Sequence, residues 1–154
     1  IKDLCGWLSH CCKKHVVMHC ISMYPTPLEK INLDRVLFVA NSINPHGHQE
    51  GHDAGEWGVS DHSLGTNFSK VAICHGATWV EKHFTIDNKL VGPDNYMSIT
   101  PSELKIIRDF SDDYVKIKSF DTTKNNHSEG ACPDVYPEEL EVRKVYGDRF
   151  SKND

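Results

Sequence analysis

Several familiar signals are missing from this chain of 154 residues. No apolar run approaches the roughly 18 residues of a membrane-spanning helix, and no basic-then-apolar leader opens the sequence. Neither a span nor secretion is expected. No basic stripe or run stands out among 17 Lys and Arg residues, which are outnumbered by 22 Asp and Glu for a net charge of -5. Nucleic acid and the membrane surface are therefore not expected partners. The six cysteines (5, 11, 12, 20, 74 and 132) include no CxxC pair. They read as reduced thiols of a cytoplasmic protein rather than a disulfide framework. The chain does not begin with Met and opens inside a helical pattern, so a cut chain is expected.

What is present is an ordinary globular composition, 38% apolar and 25% charged, with enough length for one domain and a sizeable core. Residues 1 to 13 place Ile1, Leu4, Cys5, Leu8, Cys11 and Cys12 on one helical face. HVVMHCIS at 15 to 22 follows as a short buried strand. In "YPTPLEKINLDRVLFVA", Thr26 with Glu29 forms a Thr-x-x-Glu capping box around Pro27, which predicts a helix running to about residue 40. A Gly- and His-rich stretch then precedes a brief strand, WGVSDH. "GTNFSKVAICHG" has helical spacing through Phe68, Val71, Ala72 and His75, and Gly76 stops it. ATWVEKHFTID at 77 to 87 is a strand, and a loop separates it from a second capping box, Thr100 to Glu103, which opens "TPSELKIIRDFSDDYVKIK". Beyond about 119 the chain is polar and irregular, with a short helical candidate at 137 to 146.

Strands alternating with helices point to α/β architecture with parallel βα units. Their strands are apolar at both parities near the start and polar toward the end. That gradient suits a parallel barrel, whose chemistry sits at the carboxyl-end rim. Three strands cannot close a (β/α)8 barrel, which takes roughly 250 residues, so five units are expected elsewhere.

The third strand carries three titratable residues in a row, Glu81, Lys82 and His83. Because side chains alternate along a strand, Glu81, His83 and Thr85 share one face and Lys82 takes the other. The same period pairs Ser60 with His62, and Cys20 with Ser22 and Tyr24. Two imidazoles from neighbouring strand ends, His62 and His83, would then meet at a shared divalent metal, with Glu81 acting as a base or gripping a substrate hydroxyl. A carboxylate beside a cation stays ionised despite burial. Against this, a His at a strand end is more often a hydrogen-bonded structural residue. Glu81 has salt-bridging alternatives, in Lys82 or an Arg elsewhere. His46, His48 and His52 lie in a Gly-rich loop without Cys partners and read as solvated. His10, His15, His19 and His127 receive the structural reading too.

Four segments in order, "HCISMYPTPLEKINLDRV", "GVSDHSLGT", "GATWVEKHFTID" and "GPDNYMSITPSEL", resemble the successive strand-end motifs of the N-acetylneuraminate (sialic acid) synthase family, over about residues 15 to 118. The resemblance implies a partial (β/α)8 TIM barrel, its last three βα units, occupying residues 1–118. Residues 119–154 would then be an irregular tail resembling the linker toward a missing antifreeze-like domain. It implies condensation of phosphoenolpyruvate with an N-acetylated amino sugar such as N-acetylmannosamine, with release of phosphate and with manganese as the usual metal. By position, His62 and His83 resemble the metal ligands. Ser60 and Ser22 match contacts to phosphoenolpyruvate, Ser22 standing where some members use Asn. Tyr24, Glu81 and Asp94 match residues that hold the sugar, with proton transfer a further role for Glu81.

The sequence departs from the family in lacking the first five strands with their phosphoenolpyruvate-gripping groups, and in a longer, His-rich loop at 41 to 56. An oligomer or a companion chain completing the barrel is therefore expected, and the chain alone is expected to be inactive. Two other readings stay open: a non-catalytic remnant or assembly module of the family, and another metal-dependent aldol-type barrel lyase.

Overall fold

The computed structural model describes Trp7, residues 15–43 and residues 56–119. The expected helix over 1 to 13 apart from Trp7, the His-rich loop around His46, His48 and His52, and the tail with its helical candidate at 137 to 146 lie outside the described residues.

Three parallel strands form one sheet in the order β1 (Val16–Cys20), β2 (Glu56–Ser60), β3 (Trp79–Glu81). Helices α1 (Leu33–Ile43), α2 (Asn67–Cys74) and α3 (Pro101–Ser119) follow the strands in turn. This is the α/β alternation that the apolar runs imply. The register sets Cys20 beside Ser60 and Ser60 beside Glu81, so these three residues form one row across the strand ends.

The strands are apolar at both parities because each parity has a different neighbour. Trp57 and Val59 turn toward the helices and pack with Val36 of α1, with Phe68 and Ala72 of α2, and with Ala77. A second cluster joins Ile73, Ile99 and Ile107, with Val80, Phe110 and Tyr114 against it. The opposite parity faces away from the helices. There Trp79 stays half exposed, its indole N–H donating to Glu56 Oε2 at 2.7 Å. Gly58 lies under Trp79, where any Cβ would strike the Trp79 carbonyl and side chain, so the position admits no larger residue without a shift of β3.

Local signals decide some boundaries. α3 opens on the expected capping box, with the Thr100 N–H donating to Glu103 Oε2 at 2.9 Å and the Glu103 N–H approaching Thr100 Oγ1 at 3.5 Å. α2 ends where Gly76 takes a positive φ of 94° and its N–H returns to the Ile73 carbonyl at 2.9 Å.

Other boundaries correct the sequence reading. Thr26 is not a helix cap: its N–H donates to the His62 carbonyl at 2.9 Å, and its hydroxyl turns back to the Met23 carbonyl at 2.8 Å. A bridge to the segment after β2 has outcompeted the local box. The chain instead makes one 3-10 turn, Leu28–Lys30. α1 then starts with Asn32 as its cap, Oδ1 accepting from the Arg35 N–H at 3.1 Å. The strand expected over 77 to 87 is also much shorter. It stops at Glu81 because β2 ends at Ser60, and residues 83 to 85 pair with Ile99 instead, through Ile99 N–H to the His83 carbonyl and Thr85 N–H to the Ile99 carbonyl.

Candidate active site at the carboxyl ends of the strands

Just past the row Cys20, Ser60, Glu81 the three chains leave the sheet, and their next polar side chains gather above it. The rings of His62 and His83 lie 5.3 Å apart between centroids. Tyr24 closes the group, 4.3 Å from the His62 ring and 6.0 Å from that of His83. The alternation that makes Glu81 and His83 face one way therefore persists beyond the last ladder residue of β3.

Each imidazole is oriented from behind. His62 is buried, and its Nδ1 lies 3.1 Å from the Ile21 carbonyl, an acceptor that only an Nδ1–H can satisfy. Cys20 Sγ sits 3.9 Å from the same nitrogen. His83 is more open, with Nδ1 3.6 Å from Asp94 Oδ2, an electrostatic approach longer than a hydrogen bond that favours the proton on that nitrogen. Both arrangements leave the Nε2 lone pair for another partner, the tautomer a metal-binding histidine needs. Among the described residues no three His, Cys, Asp or Glu side chains cluster as a complete metal site. Two imidazoles with the remaining positions open to water or substrate fit a catalytic cation rather than a closed structural one.

Ser60 and Glu81 adjoin the two rings. The serine hydroxyl donates to Glu81 Oε1 at 2.6 Å across the β2–β3 ladder, holding the carboxylate on the sheet face that carries the two rings. Glu81 is exposed, so its second oxygen is open to a ligand. Ser22 lies at the same rim, its Oγ 3.9 Å from Cys20 Sγ. Asp94 reaches His83 from a turn in which its carbonyl accepts from Ser98 Oγ at 2.7 Å. Asn88 braces that loop by donating to the Asn95 and Ser98 carbonyls. The loop is tied to the segment after β1 as well, since the Tyr96 hydroxyl donates to the Tyr24 carbonyl at 3.2 Å. Ser22, Tyr24, Ser60, His62, Glu81, His83 and Asp94 thus all stand at one end of one sheet.

Sequence reasoning missed the support beneath them. Lys82 does take the opposite face, and it pairs with Asp61 and not with Glu81, whose carboxylate takes the Ser60 hydroxyl instead. Its ammonium lies 3.0 Å from Asp61 Oδ2, with both side chains almost wholly buried at 3% and 0% exposure. The signal was available, because Ser60-Asp61-His62 and Glu81-Lys82-His83 place opposite charges at matching positions of adjacent strands. Tyr96 and the Ile21 carbonyl carried no comparable signal. His19, read as a hydrogen-bonded structural residue, is buried on the helix-facing side of β1, and its Nδ1 has no hydrogen-bond partner among the described residues.

Comparison with known proteins shows the family. The family model described as the NeuB family matches residues 1–119. An uncharacterized protein of Methanocaldococcus jannaschii is 38% identical over 95 residues, 61% of this chain and 25% of that protein. The N,N'-diacetyllegionaminic acid synthase of Campylobacter jejuni is 33% identical over 91 residues, 59% of this chain and 24% of the enzyme. Among solved structures, the N-acetylneuraminic acid (sialic acid) synthetase of Leptospira borgpetersenii superposes with a TM-score of 0.57 at 27% identity, covering 85% of this chain and 40% of that one. The chain spans about a quarter of the length of the curated relatives it matches. It belongs to the NeuB family.

Proposed function

We propose that this NeuB-family chain forms the carboxyl-terminal part of a synthase barrel that condenses phosphoenolpyruvate with an N-acetylated amino sugar, forming a carbon–carbon bond and releasing phosphate. The observation that carries this reading is the meeting of His62 and His83 beside the Ser60–Glu81 pair, at the carboxyl ends of two adjacent parallel strands. In α/β barrels, reacting groups are built from that end of several strands.

In this reading His62 and His83 hold a divalent metal, manganese by family resemblance, through their Nε2 atoms. Bound there, the metal supplies Lewis acidity that makes the sugar's aldehyde carbon electrophilic. Glu81, kept on the face of the two rings by Ser60, takes a proton from the water that adds to the enolpyruvate-derived carbon, or accepts from a sugar hydroxyl. Ser60 and Ser22 contact phosphoenolpyruvate. Tyr24 provides a ring edge and a hydroxyl for the sugar, and Asp94 turns its second carboxylate oxygen to a sugar hydroxyl while steadying His83. The remaining barrel strands come from other polypeptide, covalently continuous or not, and cover the sheet edges that three strands leave unpaired.

Two other readings make different predictions. An assembly module of the family would keep the fold and gain no activity when completed. A different aldol-type lyase would turn over without consuming phosphoenolpyruvate. The test is to join the chain to the five upstream βα units of the Campylobacter relative and follow phosphate release from phosphoenolpyruvate with several N-acetylated amino sugars. Phosphate release that requires both substrates and is lost in His62→Ala and His83→Ala supports the synthase. A folded, metal-loaded assembly without phosphate release refutes it, as would full turnover by the 154-residue chain alone for the shared-barrel part.

A further inference from the structure

Asp61 and Lys82 are each flanked by two groups that the proposed chemistry uses. Asp61 separates Ser60 from His62, and Lys82 separates Glu81 from His83. Both take the face of the sheet opposite to Ser60, His62, Glu81 and His83, and they meet there. Asp61 fills both its oxygens: Oδ1 accepts from the Ser63 N–H at 2.8 Å and the Ser63 hydroxyl at 2.7 Å. Its Oδ2 accepts from the Ser69 hydroxyl at 2.6 Å and from the Lys82 ammonium at 3.0 Å. The ammonium finds its other acceptors in the Ser63 carbonyl at 2.7 Å and, less closely, the Asp61 carbonyl at 3.4 Å.

A buried ion pair is seldom chosen for stability, since an apolar pair of equal volume commonly does as well or better. What it supplies is direction. With every donor and acceptor used, only one alignment of the two segments satisfies the network. The pairing sits where it is needed, because regular β2–β3 pairing ends at Ser60 and Glu81 and a single further backbone bond, Asp61 N–H to the Glu81 carbonyl at 2.8 Å, follows. Beyond that bond each histidine's carbonyl is tied to a different neighbour, His62 to Thr26 and His83 to Ile99, and no β2–β3 bond among the described residues sets their common height.

We propose that Asp61 and Lys82 are positioning residues: their buried pair takes over from the β-ladder and holds His62 and His83 in register, so that both rings keep the Nδ1–H tautomer and turn Nε2 to one centre. The metal arm of this inference rests on the proposed metal site, whereas its ring arm does not.

The experiment uses the 154-residue chain and the paired substitution Asp61→Asn with Lys82→Met, which removes both charges and keeps one acceptor for the serines. Circular dichroism checks the fold. Long-range proton–nitrogen spectra of the metal-free chain, assigned with His62→Gln and His83→Gln, report each ring's tautomer. Calorimetry reports manganese affinity. In the unaltered chain both rings should carry the proton on Nδ1. In the folded pair variant both should move toward tautomer mixtures, with manganese binding weakened about tenfold or more, the usual cost of losing groups that orient metal ligands. Unchanged ring signals in the folded variant overturn the proposal, as do rings that begin with the proton on Nε2. If the pair variant does not fold, Ser69→Ala removes only the 2.6 Å donor on Asp61 and should give a smaller shift in the same direction; unchanged spectra there overturn it equally. If manganese binds the unaltered chain without perturbing either ring, the metal reading fails while the tautomer comparison still decides the positioning role.

Discussion

Truncating one member of the buried Asp61–Lys82 pair should destabilise the protein far more than neutralising both. Lys82→Met leaves a carboxylate at 0% exposure, but one still holding three donors, from the Ser63 N–H and the Ser63 and Ser69 hydroxyls. An orphaned buried charge of this kind costs about 3–5 kcal/mol, and the three surviving bonds put Lys82→Met near the lower figure, about 3 kcal/mol. Asp61→Ala does more damage, because it strands the ammonium with two carbonyls and also deprives the serine donors of their acceptor. With about 1–3 kcal/mol for each buried donor left unpaired, Asp61→Ala should reach about 5 kcal/mol or more, a large part of the stability of an ordinary domain. Asp61→Asn with Lys82→Met, which leaves no buried charge, should recover at least about 2 kcal/mol of the Lys82→Met loss. Urea unfolding of Asp61→Asn, Lys82→Met and the paired variant, followed by far-ultraviolet circular dichroism, closes the cycle and gives the coupling directly. Single variants that each cost under about 1 kcal/mol, or a paired cost equal to the sum of the singles, would refute the reasoning, because a pair that is truly desolvated has to be coupled.

Thr100→Ala removes the hydroxyl half of the capping box that opens α3, leaving the backbone N–H bond to Glu103, and should cost about 1 kcal/mol, read as a lowered denaturation midpoint. Gly76→Ala forces a Cβ onto a residue with φ of 94°, at a cost of about 1–2 kcal/mol, whereas no comparable penalty attaches to an alanine at exposed Asn88's neighbour Lys89. Burial, with repulsion from the Arg35 guanidinium added, holds the His19 pKa below its ordinary 6.5. The unfolded ring therefore gains a proton as pH falls through about 6.5 while the folded ring stays neutral, so the unfolded state binds more protons and stability declines with acidification. His19→Leu should flatten that decline between pH 7.5 and pH 5.5, measured as the shift of the urea midpoint (pH values chosen about one unit either side of 6.5); an unchanged slope would contradict it.

Much of the fold was legible because it is written in short-range pattern. Trp57, Val59 and Val80 are apolar on the helix-facing parity, and Phe68 and Ala72 of the expected helical face meet Trp57 and Val59, whereas Val71 and His75 of that face are exposed and Ile73 is buried instead. The Thr100 box was readable since its donors and acceptors lie within four residues. An identical Thr-Pro-x-Glu pattern at Thr26 misled, because a partner 36 positions away along the chain, the His62 carbonyl, captured the Thr26 N–H. No local signal encodes that competition. Strand ends were poorly placed for the same reason: β3 stops where β2 stops offering backbone groups, which is a property of the neighbour. Within the site, the two-residue period was enough to bring Glu81 and His83 to the face shared by Ser60 and His62. It could not show that Asp94 would arrive from a separate loop against His83, a contact that depends on how the segments leave the sheet, whereas the opposite charges of Asp61 and Lys82 at matching positions were there to be read.

The central claim is that His62 and His83 converge on one divalent cation through Nε2. Pulsed electron paramagnetic resonance of the chain loaded with one equivalent of manganese(II) reads this directly, as couplings to directly bound imidazole nitrogens. Two such nitrogens are expected in the unaltered chain, and one in either His62→Ala or His83→Ala. A manganese signal without imidazole coupling, or one indifferent to both substitutions, would contradict the account.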